Sequence, residues 1–244
     1  MDRDRLQRIR NWQSDDFYPA LVVRPIAIAV MWVIADWRFL SPNVLTTLAN
    51  VAKLAAIVLI LPDDRTGWWA AMGLLQLGLL FDHLDGTMAR YRGQSTSFGL
   101  WYDNTSDALL WHGLMFALGW VTFGRTGDPL MLALPLVSAH ALLMTGYMKW
   151  MVEAERRRRS GPAPAAPPAA PPHRTAADWA RWIGKMVLQV YRFEEADLYL
   201  WVAVLSLADQ LELLMWLLAG SQLARLAVML VRRGLQARAL DRAA

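Results

Sequence analysis

The sequence contains no cysteine. This absence excludes a disulfide framework, a thiolate nucleophile and a thiolate zinc site, so any bound metal is expected on oxygen or histidine ligands. The charged N-terminal stretch also lacks the short apolar core and small-residue cleavage site of a signal peptide, so we expect insertion to depend on later helices. Apolar residues, in contrast, are abundant: 56% of the 244 residues are hydrophobic and 13 are tryptophan. This composition favours lipid over water as the solvent of the chain.

Six apolar stretches approach the roughly 20 helical residues needed to span a bilayer. They are residues 43–61, 68–90, 98–123, 129–151, 195–209 and 211–232. A single kinked helix is the alternative to the break near Asp209. Residues 18–38 are long enough to span, but Arg24 and Pro25 interrupt their first turn, so we prefer a helix lying in the interface to a seventh span. The predicted fold is an all-α integral membrane protein, with six transmembrane helices preceded by an interfacial amphipathic helix.

Composition divides the chain into five segments. They are an N-terminal cytoplasmic and interfacial helix at 1–40, transmembrane helices one to four at 41–151, a Pro/Ala-rich cytoplasmic linker at 152–180, a surface helix with transmembrane helices five and six at 181–235, and a basic tail at 236–244. Because proline cannot donate a backbone hydrogen bond, we expect the linker to be extended and mobile.

Basic residues alternate between the two sides of the predicted spans. The two termini, the loop after the second span and the linker are rich in arginine, whereas the opposite loops hold only Arg65 and Arg125. Since Lys and Arg accumulate in cytoplasmic loops, both termini are predicted to be cytoplasmic, as in a multi-pass protein of a bacterial inner membrane. The net charge of +4 is spread between apolar stretches, so no nucleic-acid partner is expected.

Four aspartates lie where the second span ends and the third begins. Asp82 and Asp85 are three residues apart, and Asp103 and Asp107 are four apart, so each pair shares a helix face. Ionised side chains in membrane helices are costly unless they are paired, solvated or bound to a cation. Oxygen ligands suit Mg²⁺, Mn²⁺ or Ca²⁺, so we infer one or two divalent ions.

Small residues and an arginine accompany these acids. They are Gly86, Ala89, Arg90 and Gly99. The small residues leave gaps where a ligand can approach the backbone, and the planar guanidinium suits bidentate contact with phosphate. The residues outline a phosphoryl-transfer site. Asn43, Thr47 and Asn50 form a polar stripe on the first span, which either contacts the ligand or joins neighbouring helices.

The residues from Asp82 to Asp107 read Asp-x2-Asp-Gly-x2-Ala-Arg-x8-Gly-x3-Asp-x3-Asp. This pattern resembles the complete signature of the CDP-alcohol phosphotransferases, also called CDP-alcohol phosphatidyltransferases. Ser41-Pro42-Asn43 is similar to a Thr-Pro-Asn sequence common in that family. The resemblance implies an enzyme of phospholipid biosynthesis that transfers a substituted phosphate from a CDP-alcohol donor to the hydroxyl of an acceptor alcohol and releases CMP.

The resemblance also implies roles for single residues. Asp82, Asp85 and Asp103 would hold Mg²⁺ or Mn²⁺, with two ions expected. Asp107 would be the fourth acid of the metal site and would act as general base. Gly86, Ala89, Arg90 and Gly99 would form the CDP pocket, with Asn43 as a further contact. The active site would face the cytoplasm. Because relatives often form dimers, the resemblance also suggests a homodimer surrounded by membrane lipids.

The sequence leaves both alcohols open. We prefer CDP-diacylglycerol as the donor because a lipid substrate explains a membrane-embedded site; the alternative is a CDP-linked small alcohol, of the CDP-inositol type, transferred to an inositol phosphate or lipid acceptor. The stretch from Val22 to Pro25 is similar in sequence to family members that use inositol-type substrates. Lys149, Arg181 and Arg192 either bind an anionic acceptor or anchor the topology.

Two other classes of protein predict different patterns of acidic residues. An ion-coupled transporter would spread carboxylates along the membrane normal, whereas these four cluster at one end. An inactive scaffold of the same fold would have lost a motif acid or Arg90, and the sequence retains all of them. Both comparisons favour the enzyme.

Overall fold

The structure, a computed structural model, describes residues 3–10, 16–160, 175–187, 189 and 193–242. In these residues the regular structure is helical: α1 Arg3–Ile9, α2 Arg24–Ile34, α3 Pro42–Ile60, α4 Arg65–Arg92, α5 Ser97–Thr126, α6 Leu130–Ser160, α7 Ala176–Val187, α8 Glu195–Leu207 and α9 Leu211–Arg242, with a π-helical turn at Pro19–Val23. The all-α prediction is confirmed. By length and composition, α3, α6 and α9 can each cross a membrane, and the six-span layout stays a prediction.

Side-chain caps fix where the three site-bearing helices begin. The side chain of Ser41 accepts a hydrogen bond from the backbone N–H of Val44 at the start of α3. Asp64 and Thr96 do the same for Gly67 and Gly99 at the starts of α4 and α5. Each cap satisfies a backbone donor that the helix itself cannot. The connections between these helices are short, since α3 ends at Ile60, α4 runs from Arg65 to Arg92 and α5 begins at Ser97. α3 packs against both α4 and α5.

The helices pack around two apolar clusters. α3 lies along α4 and also contacts α5, α4 contacts α8, and α6 lies between α5 and α9. The larger cluster joins these helices through buried residues such as Ala56, Leu75, Leu118 and Leu214. The smaller cluster joins α1 and α2 to α3 and α4, with Met31, Leu45, Leu84 and Met88 at its centre. Since Leu84 and Met88 flank Asp85 and Gly86 in sequence, this second cluster holds the acidic end of α4.

The last two predicted spans are separate helices. α8 ends at Leu207 and α9 begins at Leu211. Between them Asp209 adopts a φ of +58°, a left-handed conformation that interrupts a right-handed helix. The alternative of one long kinked helix is therefore wrong.

The predicted linker is wrong in its first residues, because α6 continues to Ser160. Glu153 pairs with Arg156 and Arg157, and Glu155 pairs with Arg158 and Arg159, all at helical spacings of three or four residues. Such pairs stabilise an exposed helix. α7 likewise begins at Ala176 inside the predicted linker, and α9 continues through most of the predicted tail. The Pro/Ala tract 161–174 lies outside the described residues.

The segment predicted to lie in the interface forms the π-helical turn and α2. Its apolar helical part, Pro19–Ile34, is shorter than the three candidate spans. α2 packs against α4 through the second cluster, in which Met31 is fully buried. Its location relative to a membrane stays a prediction.

Candidate active site

Three of the four motif aspartates meet between α4 and α5. Asp82 lies in the C-terminal half of α4, and Asp103 and Asp107 lie about two and three turns into α5. One oxygen from each of the three carboxylates lies within 4.8 Å of the other two. The short connection between the two helices and the spacing of the acids produce this arrangement, because side chains three or four residues apart share a helix face.

Asp85 lies outside this group of three and contacts Thr46 of α3. The hydroxyl of Thr46 donates a hydrogen bond of 2.5 Å to its Oδ2, and Asp85 is only 6% exposed. Asp85 and Asp103 nonetheless line the same cavity. Asp103 therefore belongs both to the group between α4 and α5 and to the cavity wall that Asp85 also lines.

A lysine that the motif does not include lies among these acids. Lys53 Nζ donates hydrogen bonds to Asp82 Oδ1 at 3.0 Å and to Asp107 Oδ1 at 2.5 Å. Its side chain is 2% exposed. Lys53 comes from the middle of α3, so three helices contribute charges to one small volume.

The donor set fits a hard divalent cation. Asp103 Oδ1 is buried and has no hydrogen-bond partner among the described residues. A buried carboxylate oxygen without a partner is costly, and a bound ion would remove that cost. Carboxylate oxygens without histidine or thiolate favour Mg²⁺ or Mn²⁺ over zinc.

A cavity of about 210 Å³ opens beside the acids. It is lined by all five residues predicted to contact CDP, which are Asn43, Gly86, Ala89, Arg90 and Gly99, together with Pro42, Thr46, Asp85, Gln94, Ser95, Thr96, Leu100 and Asp103. The sequence prediction therefore placed five residues from three helices around one space. Their contact with a nucleotide stays a proposal.

The two motif glycines leave room for polar groups. A Cβ atom at Gly86 would lie 3.2 Å from Arg90 Nη1. A Cβ atom at Gly99 would lie 3.1 Å from Thr96 Oγ1 and 3.4 Å from Asn43 Oδ1. These separations are tight for carbon atoms, so the absence of a side chain lets Arg90 and Asn43 approach the helix backbones.

The three residues of the polar stripe predicted on the first span have different surroundings in the structure. Asn43 lines the cavity, whereas Thr47 Oγ1 lies 3.1 Å from the hydroxyl of Tyr102. Asn50 Oδ1 is buried without a partner among the described residues. Thr46 and Lys53, which are seven residues apart on α3, face the aspartates instead.

The three basic residues predicted to bind an acceptor are not brought together. Lys149 is exposed, with Nζ 6.0 Å from the ring centre of Trp150. Arg181 is 79% exposed and pairs with Asp178 at 2.8 Å. Neither is among the described residues that line the cavity, and Arg192 lies outside the described residues. Their role stays a prediction.

Sequence reasoning missed Lys53 and Thr46, although a signal for Lys53 was present. A lysine in the middle of an apolar helix is unusual enough to indicate a specific partner. Its spacing of seven residues from Thr46 also places the two side chains on one helix face. The acids that Lys53 contacts depend on how α3 packs on α4. Residue spacing along the sequence does not give that packing.

Comparison with known proteins decides the family. The profile of the CDP-alcohol phosphatidyltransferase family matches residues 39–170, which is more than half of the 244-residue chain. The chain belongs to the CDP-alcohol phosphatidyltransferase family. The matched residues include the whole of the signature and the cavity, so the resemblance seen in the sequence is confirmed.

Several curated proteins are similar to this CDP-alcohol phosphatidyltransferase chain. The phosphatidylinositol phosphate synthase of Mycobacterium tuberculosis is 33% identical over 124 residues, which are 50% of this chain and 55% of that protein. The CDP-diacylglycerol–glycerol-3-phosphate 3-phosphatidyltransferase of Pseudomonas fluorescens is 29% identical over 125 residues, which are 50% of this chain and 62% of that protein. The chain thus spans about half the length of the curated relatives it matches.

Solved structures show the same fold. The crystal structure of the Mycobacterium tuberculosis phosphatidylinositol phosphate synthase with CDP-DAG bound aligns with a TM-score of 0.53 at 21% identity, covering 87% of this chain and 93% of that one. The same enzyme in complex with manganese and citrate aligns with a TM-score of 0.51 at 23% identity, covering 87% and 88%.

Proposed function

We propose that this protein transfers a phosphatidyl group from CDP-diacylglycerol to the hydroxyl of an acceptor alcohol and releases CMP. One observation carries the proposal: Asp85 and Asp103 belong both to the four-aspartate motif and to the wall of the cavity that contains Arg90. A diphosphate in that cavity would lie between a guanidinium and the acids. This is the arrangement that phosphoryl transfer requires, since its catalysis depends on positioning and charge neutralisation.

The residues around the cavity have separate roles in binding the nucleotide and the cation. Arg90 would bind the diphosphate through its planar guanidinium, while Asn43, Gly86, Ala89 and Gly99 shape the rest of the CDP pocket. Asp82, Asp85 and Asp103 would hold a divalent cation, Mg²⁺ or Mn²⁺, which when bound neutralises the negative charge of the diphosphate.

Asp107 is the residue we assign as general base. Lys53 fixes its Oδ1 at 2.5 Å, which leaves the second carboxylate oxygen to accept a proton. The acceptor oxygen then forms a bond to the phosphatidyl phosphorus, and the bond from that phosphorus to the bridging oxygen of CMP breaks. The hydroxyl proton passes to Asp107, and CMP leaves with the bonding electrons.

The relatives support the proposed donor. One of the similar solved structures has CDP-DAG bound, and several curated relatives are named phosphatidylinositol phosphate synthases. An inositol phosphate and glycerol 3-phosphate are therefore the first acceptors to test. A CDP-linked small alcohol remains the alternative donor.

We further propose that all six of α3, α4, α5, α6, α8 and α9 span the membrane. Both termini and the cavity would then face the cytoplasm, and the π-helical turn with α2 would lie in the interface. The distribution of arginines supports this orientation. A homodimer stays a prediction.

CMP release tests the donor and the acceptor. The purified protein in detergent with Mg²⁺ or Mn²⁺ is offered CDP-diacylglycerol with a panel of acceptors: inositol, inositol phosphate, glycerol 3-phosphate and serine. CDP-linked small alcohols are offered separately. We expect acceptor-dependent CMP from CDP-diacylglycerol and one acceptor. CMP from a CDP-linked small alcohol alone would replace the proposed donor, and no CDP binding at all would contradict the function.

A further inference from the structure

The first turns of α8 lie beside the aspartate group. The ring of Tyr199 lies 5.8 Å from Lys53 Nζ and 5.2 Å from the ring of Trp111 on α5. Glu195 is four residues earlier, so it lies on the same helix face, one turn nearer the start of α8. Its charge interacts with those of Asp82 and Lys53. α8 thus brings an acid that the sequence motif does not include to the edge of the aspartate group.

Two residues of α9 hold the start of α8. Arg225 donates hydrogen bonds to the carboxylate of Glu194 and to the backbone oxygen of Phe193, and the side-chain amide of Gln222 donates to the same backbone oxygen at 3.0 Å. The carboxylate of Glu195, in contrast, accepts no hydrogen bond and forms no ion pair within the part of the chain that the structure describes, and its side chain is exposed. The backbone beside Glu195 is therefore anchored, whereas its carboxylate is available to a ligand.

This face of α8 lies outside the cavity assigned to CDP. The cavity is lined by residues of α3, α4, α5 and the loop before α5, and neither Asp107 nor Glu195 is among the described residues that line it. In phosphoryl transfer the attacking and leaving oxygens lie roughly in line, so the acceptor must approach from the side away from CMP. The proposed base Asp107 contacts the same lysine that lies beside Tyr199. The acceptor is therefore expected to enter between Asp107 and Glu195.

The charges around Glu195 disfavour an anionic acceptor. Its carboxylate interacts with two acids, Asp16 and Asp82, and with two bases, Lys53 and Arg225. Both bases are already paired with other acids. A cation bound to the motif aspartates would leave Glu195 charged, because this residue lies outside the carboxylate group that could hold the ion. A phosphate beside Glu195 would thus face a like charge, whereas a hydroxyl or an ammonium could donate a hydrogen bond to it.

We infer that Glu195 selects an acceptor without a phosphate group, namely a polyol or an amino alcohol whose hydroxyl or ammonium group binds the carboxylate. This inference rests on the proposed function, because it concerns the acceptor of that reaction. It differs from the phosphorylated acceptor in the name of one relative, the glycerol-3-phosphate phosphatidyltransferase. Glu195 contacts the acceptor and determines its class, and it takes no part in binding CDP.

Paired acceptors test the inference. CMP release from CDP-diacylglycerol is measured on the purified full chain in detergent, with glycerol against glycerol 3-phosphate, inositol against inositol phosphate, and ethanolamine as the ammonium-bearing alcohol. In wild type, kcat/KM should be at least about tenfold higher for the best phosphate-free acceptor than for any phosphorylated one, since like charges in contact are costly. Glu195→Gln keeps the size of the side chain but removes the charge. It should abolish this preference through the KM of the acceptor and leave CDP binding unchanged, and Glu195→Asp should restore the preference.

Glu212→Gln is the matched control. Glu212 is an exposed acid in the first turn of α9 and lies beside Arg125, so its substitution should leave the preference unchanged. A wild type that prefers phosphorylated acceptors, or an unchanged preference in Glu195→Gln, would overturn the inference. If Glu195→Gln does not fold, Glu195→Ser is the second uncharged variant for the same comparison. CMP release that favours phosphorylated acceptors contradicts only this inference, whereas no CMP from any acceptor contradicts the proposed function.

Discussion

Asp82 and Asp107 contact the same lysine, yet their surroundings indicate different tasks. Asp82 lies on α4 one turn before Asp85, and Asp107 lies on α5 one turn after Asp103; Asp85 and Asp103 line the cavity. A ligand for a cation should be needed for binding, and a general base should be needed for turnover. The two roles therefore separate in the effects of single substitutions.

Asp107→Asn is expected to lower turnover by at least about 100-fold, the lower range for loss of a general base. CDP and Mn²⁺ binding should be largely retained because Asp82, Asp85 and Asp103 remain. Asp82→Asn should lose both binding and turnover. Calorimetric binding of CDP with Mn²⁺, beside the CMP assay, measures the difference. Near-normal turnover in Asp107→Asn would show that the base is another group.

Arg90→Lys should weaken CDP binding by about tenfold, or roughly 1.4 kcal/mol, because a point charge cannot reproduce the bidentate contact of a guanidinium. The dissociation constant of CDP at saturating Mn²⁺ is the measurement. Arg65→Lys is the matched control, since Arg65 begins α4 at the end opposite the aspartates and should leave CDP binding unchanged. Equal affinities in wild type and Arg90→Lys would place the diphosphate elsewhere.

Residue spacing predicts only part of the site: it places Asp82 and Asp85 on one helix face and Asp103 and Asp107 on another. The resemblance to the family implied the roles of these acids and of the cavity residues. Lys53 could not be assigned in the same way, because its partners depend on how α3 and α4 pack. The turn of Asp85 toward Thr46 is likewise a consequence of that packing.

At the scale of elements, the contact between α3 and α4 depends on Gly78. Gly78→Ala would bring a Cβ atom to 2.8 Å from Lys53 Cγ and 3.2 Å from the backbone oxygen of Ala49. We expect a loss of stability of roughly 1–3 kcal/mol, as for other overpacked contacts, measured by thermal unfolding in detergent. Gly73→Ala on the same helix meets no atom within 4 Å, so it should be neutral or slightly stabilising. Equal effects of both substitutions would contradict the packing argument.

Arg125 connects two loops at the end of the helices opposite the aspartate site. Its guanidinium donates to both oxygens of Asp63 and to Asp209, and both aspartates have positive φ angles. Asp63 lies between α3 and α4, and Asp209 lies between α8 and α9. Arg125, in the last turn of α5, thus stabilises two loops whose conformation the apolar sequence pattern does not determine.

Asp63→Asn should lower the free energy of unfolding by about 1 kcal/mol at neutral pH, since the pair is partly exposed. The hydrogen bonds from Arg125 lower the pKa of Asp63 below its ordinary value of 3.8. The stabilisation is therefore complete above that value and is lost as the pH falls through the lowered pKa. Unfolding of both proteins across this pH range measures it. Asp209→Asn is the control and should cost less, because Asp209 is 78% exposed. A difference that grew in acid would contradict this assignment.

Helix positions were more predictable than helix ends. Apolar runs and the caps at Ser41, Asp64 and Thr96 are local features of the sequence. The charged run after the apolar part of α6 predicts the start of a linker, whereas the structure continues the helix to Ser160. Its Glu–Arg pairs at helical spacing contain the information that would have extended the helix.

At the scale of the whole molecule, the arrangement in the membrane is the main remaining prediction. Single introduced cysteines can show which side of the membrane a position faces, because the sequence itself contains no cysteine. Cysteines at Thr66 and Gln210 should react with a membrane-impermeant maleimide in intact cells, whereas a cysteine at Ala237 should react only after permeabilisation. All three positions are exposed in the protein. Labelling of Ala237→Cys from outside would contradict six spans with cytoplasmic termini.

The central claim is that the four-aspartate site joins a phosphatidyl group to an acceptor instead of hydrolysing the donor or only binding it. Phosphorus magnetic resonance of the wild-type protein with Mg²⁺, CDP-diacylglycerol and the acceptor that gives CMP tests this most directly. We predict that the diphosphate signals disappear as CMP and a new phosphodiester appear in equal amounts, and that neither product forms when Mg²⁺ is chelated. CMP accompanied by phosphatidate, or a diphosphate signal that persists although CDP is bound, would contradict the claim.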